Sequence, residues 1–592
     1  MSESNDYFIN KTLQRYLFPT ILAILGTTAM PFINTMVAGQ ALGKQALAAM
    51  NLLSSFTFLF SMFGCLISIG ASAWASFAMG KGKEREVGEC ETFAFVASFV
   101  LPIITSVLIL LFLRPFMSLL GCNEELFAYM KNYAQIMLIF GFLTTLMYFP
   151  FNFLRLDGRA TVAMVNFIIM AVMDVLLLIL FMKLGWGLTG VAWATVIATA
   201  ISDLIGVCVL FFGKHRQIRP VKIHKGGWLD LTVRVFVTGA ASGLNNLCNM
   251  LRTMIMNAMV LNHLGTDASG AFAVACSVIT LASASVFGCG QTVSPLVGVF
   301  YGERDYVSIR MMVKRTIRYS FAIHGLLFIA VSIFATPICE FFGIHGESNL
   351  VDAAFGIRMA AFSLIPAAII NVCIYYYTAV QENRLALVLT FLRAFGLVVL
   401  FSVIMFALGW GQWYMVSFVL AEFAAFGCMA LLCYLRRRKN PERKGLLLLD
   451  ESSKEGERFI SFSVPGDKEG AVTASEKMSI FCEENDVDPR FAMSLPLALE
   501  ELLVVMSEHS LGEDEHKYAD VRILIDRKGI VLRIRCGGKI FDPIHWYHEK
   551  KATMTKEELM LDDSLGIRLI DEKSKQILFK STFGVNNLIV VL

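Results

Sequence analysis

The chain has 592 residues, of which 56% are hydrophobic and 12% aromatic but only 17% charged, well below the quarter usual in soluble domains. A wholly soluble protein is excluded, and long apolar stretches point to membrane-spanning helices. The net charge of +3 hides an asymmetry: residues 1–444 carry 32 Lys/Arg against 21 Asp/Glu, whereas residues 445–592 carry 19 against 27. A cationic membrane body therefore precedes an acidic soluble domain, and no nucleic-acid partner is expected. The thirteen cysteines are scattered and lack any CxxC pair, so neither a disulfide framework nor a metal site is expected.

In chain order, Met1–Lys11 is polar and the first apolar run is too long for a cleavable signal peptide. Twelve spans follow, near 16–39, 50–79, 92–114, 129–153, 161–183, 190–212, 234–261, 271–300, 317–341, 353–379, 385–408 and 412–435, each close to the roughly 20 residues a bilayer requires. One set of loops holds Lys81, Lys83, Arg85, Arg155, Arg159, Lys214, Arg216, Arg219, Lys222, Lys225, Arg304, Arg310, Lys314, Arg315 and Arg384; the other holds little beyond Lys44 and Lys183. The basic loops predict a cytoplasmic face, which places both termini in the cytoplasm of a multi-pass plasma-membrane protein. Residues 440–457 read as a linker. Beyond them, a strand over 459–464, helices over 469–485 and 490–510, a hairpin of 520–526 and 530–536 across Arg527-Lys528-Gly529, a helix over 565–573 and strands over 576–579 and 587–592 predict a small α+β domain.

The membrane body repeats itself. Leu42-Gly43 recurs as Leu264-Gly265, and Ala46, Ala49, Ser55, Ser61, Ser72 and Gly80 recur as Ala268, Ala271, Ser277, Ser283, Ser294 and Gly302, all at an offset of 222 residues. Leu184-Gly185-Trp186-Gly187 recurs as Leu408-Gly409-Trp410-Gly411 at an offset of 224. A two-fold repeat in an apolar chain is the signature of secondary transporters, whose halves rock around a shared path. Four regions result: a first six-helix repeat at 1–222, a second at 223–439, the linker at 440–457 and the α+β domain at 458–592. The fold class is an all-α polytopic membrane protein of twelve helices in two six-helix repeats, plus the α+β domain.

Ionisable groups inside the bilayer cost at least about 2.5 kcal/mol and are functional by default. Asp174 lies in the middle of the fifth span and Asp203 in the sixth. Asn245, Asn246, Asn249 and Arg252 recur three to four residues apart in the seventh, a polar stripe that must face a cleft or another helix. Arg252 and Arg393 read either as attractors of an anionic group or as structural partners of Asp174, Asp203 or Glu422.

Ile33–Gly43 with Ala46–Ala49, Gly187-Leu188-Thr189-Gly190-Val191-Ala192-Trp193-Ala194-Thr195, Gly290–Gly298 with Tyr301-Gly302, Leu392-Arg393 and Ala421-Glu422 resemble the MATE (multidrug and toxic compound extrusion) family over residues 10–440. The resemblance implies an H+- or Na+-coupled antiporter that exports amphipathic, cationic small molecules by alternating access. It implies a coupling site at Asp174, Asn34, Thr35, Thr195 and Asp203, and a substrate path along Asn245, Asn246, Asn249, Arg252, Gln291, Arg393 and Glu422, bordered by membrane lipid. The chain departs from the family at Asn34, where an acid is usual, and at Met170, often Asn.

The tail resembles the ATP-binding domain of anti-sigma-factor and histidine kinases, a Bergerat-type sandwich. Ile460–Pro465 matches its first strand, Leu497–Leu503 its base-bearing helix, and Phe541-Asp542-Pro543 and Ser564–Ile570 its glycine boxes. Glu501 stands at the base position, with Gly538, Asp542 and Gly566 in the boxes. Val505 replaces the magnesium-binding Asn, Cys536 the adenine-binding Asp, and Ile540 a glycine. Without a metal to hold the phosphates, phosphoryl transfer has no footing. The tail is therefore expected to be a degenerate regulatory or protein-binding domain with neither enzyme activity nor a cofactor. Two alternative functions are a membrane-tethered sensor with an anti-sigma-like tail and a lipid-linked precursor flippase.

Overall fold

The computed structural model describes residues 5–119, 124–213, 216–224, 226–342, 347–450, 458–511, 518–526, 529–554, 564–582 and 585–592. Lys214, Lys225 and the hairpin residues Arg527-Lys528 lie outside them. Two compact units result, one of Leu13–Leu156 and Ala160–Leu448, the other formed chiefly by Leu449–Leu592.

The first unit is all-helical. Among the described residues, ten of its helices are long and apolar enough to cross a membrane. The fourth expected span, 129–153, is not one rod: Phe127–Ile139 and Gly141–Leu156 meet at a 52° bend. The break falls at Phe140 (φ −102°, ψ 9°), and Gly141 beside it leaves room for the Phe60 ring, which would lie 2.2 Å from a Cβ there. The seventh and eighth spans form one continuous run, Gly227–Gly302, broken only at Gly265. The stretch 227–264 is helical yet is not among the apolar ten, because the asparagine stripe and two arginines interrupt it. Two π-turns interrupt other spans, Cys65–Ile69 in the second and Leu392–Gly396 in the eleventh. Such bulges recur at functional sites.

The duplication is written into the backbone. Gly43 (φ 83°, ψ −169°) and its repeat mate Gly265 (φ 86°, ψ −171°) occupy the same region, one open essentially only to glycine. Gly185 and Gly409 match as well, with φ of 76° and 77°. A side chain at any of these four would meet no atom within 4 Å, so backbone conformation alone demands glycine.

The second unit carries a five-stranded antiparallel sheet in the order Arg458–Pro465, Tyr518–Asp526, Gly529–Cys536, Val585–Val591, Gln576–Thr582. Alternating residues Val521, Ile523, Leu532, Ile534, Leu588 and Val590 form one core with Ala474, Met478, Leu499, Leu502 and Met506 of the helices Lys468–Glu484 and Pro489–Met506. The period-two and period-3.6 patterns thus meet in a helix-on-sheet sandwich. The helix Leu565–Lys573 is as expected; Pro543–Thr553 is an added helix, capped by Asp542.

The first part of the expected linker is not free chain. Leu446 and Leu447 carbonyls accept hydrogen bonds from the Tyr377 and Tyr376 hydroxyls, both at 2.7 Å. Glu382, between the tenth and eleventh spans, pairs with Arg436 and Arg443.

Candidate functional site

The first half builds a carboxylate site from three helices. Asp174 is 0% exposed. Asn34 of helix Asn5–Leu42 and Thr195 of helix Gly187–Phe212 stand beside its carboxylate, and Asn34 Nδ2 donates to Thr195 Oγ1 at 3.1 Å. Neither carboxylate oxygen completes a hydrogen bond among the described residues. Tyr133, also buried, lies within electrostatic reach; no sequence pattern singled it out. An unsatisfied buried carboxylate ringed by neutral oxygens is suited to hold a proton or a small cation.

The other expected members are placed differently. The Thr35 hydroxyl turns back to the Pro31 carbonyl at 2.8 Å and does not join the group. Asp203 is 2% exposed and likewise lacks a hydrogen-bond partner among the described residues. It lies eight residues beyond Thr195 on the same helix, about 12 Å along its axis, near Asn166, whose amide donates to Ser202 O at 3.1 Å. The two acids are separate stations.

The second half carries cations. Arg393, on the π-turn, donates to Glu422 at 3.0 Å. Arg252 stands within electrostatic reach of both, its guanidinium 5.4 Å from the Phe418 ring centroid. Of the stripe, Asn246 donates to Cys65 Sγ at 3.4 Å, joining the halves at the first π-turn; Asn245 and Asn249 are half-buried on the same helix. His324, a histidine within an apolar span, is fully buried. Its Nδ1 is 2.6 Å from Ser320 O and its Nε2 2.9 Å from Ser285 Oγ. Its place in that span was the available signal, and the sequence reading passed over it.

The halves are joined at the basic loops. Arg155, counted above with those loops, is instead 2% exposed. Its guanidinium donates to the Gln291 carbonyl of the other half at 2.8 Å and lies over Phe151. The Gln291 side chain engages the Tyr375 hydroxyl. Beside the basic loops, Gly80 meets its own repeat mate: a Cβ on Gly80 would lie 2.9 Å from Gly302 Cα and 2.1 Å from Val299 O. Gly298 sits on Ser76, and Gly239 on Leu66, at similar closeness. Small residues at a helix crossing allow this approach.

In the tail, the residues expected from sequence to mark a worn nucleotide site have internal partners. The Glu501 carboxylate accepts from Gly566 N at 2.8 Å and Ile567 N at 2.9 Å, the amides that open helix Leu565–Lys573. Asp542 accepts from Ile544 N and His545 N. Val505 packs on the core. Cys536 is buried, 3.7 Å from Ser510 Oγ, and burial pushes its thiol up to about 11. At Gly538, φ is +103° and a Cβ would lie 2.0 Å from Ser510 O.

A duplicated polytopic helical body with buried polar sites in each half defines a membrane transporter architecture. The MatE family profile matches residues 19–180 and 241–404, one stretch in each repeat, and the chain belongs to that family. It is 27% identical over 354 residues to the "Probable multidrug resistance protein YoeA" of Bacillus subtilis, covering 57% of this chain and 74% of that protein. It is 24% identical over 348 residues to the "Probable multidrug resistance protein NorM" of Photorhabdus laumondii, covering 57% and 74%. Among solved structures, the outward-facing conformation of a multidrug resistance MATE family transporter superposes with a TM-score of 0.67 at 18% identity, over 73% of this chain and 95% of that one.

Proposed function

We propose that the protein is an antiporter that exports amphipathic organic molecules bearing a cationic group, driven by H+ or Na+ and working by alternating access. The observation that carries the reading is Asp174: a fully buried carboxylate beside Asn34 and Thr195, with neither oxygen hydrogen-bonded among the described residues. A bound proton or Na+ relieves the cost of that charge, and a site whose occupancy costs differ between two access states biases them. The glycine contact of Gly80 with Gly302 supports a state closed at the basic face, which we assign to the cytoplasm together with both termini. The repeats at 1–222 and 223–439 are the rocking halves, and the 458–592 domain is a Bergerat-like regulatory or protein-binding module.

The test is dye movement in vesicles holding the full-length protein under an imposed H+ or Na+ gradient. Gradient-dependent export that is lost in Asp174→Asn is expected. If no gradient drives movement and Asp174→Asn behaves like the parent, the exporter reading fails. For the tail, titration of the whole protein with ATP is expected to show no saturable micromolar binding.

A further inference from the structure

The cluster of Arg252, Arg393 and Glu422 in the second half holds one more cation than anion. Arg393 and Glu422 form a close pair whose side chains are each 11% exposed, which neutralises both. Arg252 stands beside them on the seventh helix and has no salt-bridge partner among the described residues; around it are Cys276, Cys248, Arg393, Glu422 and the Phe418 ring. The side chain is half-buried, so part of it is not covered by its neighbours in the fold. A cation at bilayer depth without its own counterion is expensive. An aromatic face lowers that cost only in part. Three observations therefore converge: a cation without a salt-bridge partner, a side chain left partly uncovered, and a π-turn that carries the neighbouring arginine.

We infer that Arg252, seated between Phe418 and the Arg393–Glu422 pair, receives a carboxylate of the transported molecule. The guanidinium fork matches a carboxylate in two parallel hydrogen bonds, and Phe418 offers a flat apolar wall for the aromatic body that carries it. Arg393, held by Glu422, adds long-range attraction without competing for the ligand. The preferred substrates are then amphoteric rather than purely cationic. That the bound molecule is transported rests on the exporter reading; the binding site stands without it.

The test compares rhodamine B, a zwitterion with a free carboxylate, with its ethyl ester, a cation of nearly the same shape, bound to the full-length protein in nanodiscs and read by fluorescence polarisation. The free acid is expected to bind about tenfold more tightly, the scale of one charge-assisted interaction. Arg252→Gln is expected to bring the two dyes to equal affinity by weakening the acid alone, and Arg252→Lys to restore part of the preference. Equal or tighter binding of the ester to the wild type overturns the proposal, as does a preference that survives Arg252→Gln. The wild-type comparison decides the matter even where Arg252→Gln does not fold. An intact acid preference without gradient-driven export removes the exporter reading and leaves the site in place.

Discussion

Replacing Gly80 with alanine tests how the halves close. An added Cβ lies 2.1 Å from Val299 O, and ordinary contact begins near 3.4 Å, so the helices must part by about 3.4 − 2.1 = 1.3 Å. Overpacking of this kind costs about 1–3 kcal/mol, here only in the state where the halves touch. A differential of that size shifts a two-state equilibrium by about 5- to 150-fold. Hydrogen exchange of the nanodisc-embedded protein reads the shift directly: peptides spanning 70–80 and 294–302 should exchange faster in Gly80→Ala. Gly302→Ala should do the same, because its Cβ would lie 2.4 Å from Phe77 O and 2.8 Å from Gly80 Cα. The double variant should add little, since the first methyl already parts the pair. Gly43→Ala is the control; it strains the backbone at φ 83° but meets no atom within 4 Å, so it should destabilise without changing exchange at the basic face. Unchanged exchange in Gly80→Ala, or fully additive effects in the double variant, would refute the idea that this contact is the closure.

Further outcomes follow from the tail and its attachment. Glu501→Ala removes the acceptor of two helix-opening amides, so Gly566 and Ile567 should lose exchange protection and the tail about 1–2 kcal/mol, the scale of a lost cap; retained protection would show another acceptor at work. Glu382→Gln should weaken the pairing with Arg436 and Arg443, and limited proteolysis should then cut faster within 440–448. Cys536 should resist alkylation in the native protein at pH 8.5, because burial holds its thiol neutral. Linkage gives the sign: an acid raised from 9.0 to about 11 leaves stability flat below pH 9 and drains it as pH climbs toward 11. Cys536→Ser should flatten that alkaline decline, and an unchanged pH profile would place the titration elsewhere.

Much of the fold was readable because its determinants are local. Gly43 and Gly265, and Gly185 and Gly409, which sit in the matches that marked the repeat, are positions where the backbone needs glycine in both halves, so sequence identity and conformational need coincide there. Asp174 was legible because a lone carboxylate in an apolar helix has few structural reasons to exist. Its neighbours were legible only in part. Asn34 and Thr195 lie 161 residues apart, yet the family pattern marked both; Thr35, one residue on, points its hydroxyl back along its own helix, which pattern alone does not reveal. Tyr133 and Arg155 were missed as site residues for a different reason. A tyrosine is ordinary at a membrane interface, and an arginine near a basic loop counts as topology until packing shows it buried against Gln291. In the tail, strand and helix limits followed from alternation, whereas the partnering of Glu501 with the amides at Gly566 and Ile567 depends on the close approach of two helices distant in sequence.

The duplicated scaffold carries unequal chemistry, and the inequality constrains any coupling between sites. Asp174 corresponds at the repeat offset to the buried Val398, and Glu422 to the buried Ala198; Arg252 corresponds to Met30, also buried. Acid lies in one half and surplus cation in the other. Two rigid halves that merely rock would change each site's access to water but leave its internal contacts unchanged, because every residue at Asp174 comes from the first half and every residue at Arg252 from the second. A ligand shifts an equilibrium only through differential affinity for its states. Coupling through the contacts of a site, beyond its access to water, would require deformation inside a half, and helices deform where their hydrogen-bond ladder is already irregular. The π-turn at Cys65–Ile69 bonds through Cys65 to Asn246 of the other half, and the π-turn at Leu392–Gly396 carries Arg393 itself. These two irregular turns, rather than the glycine closure, are where a change at one site can be felt at the other.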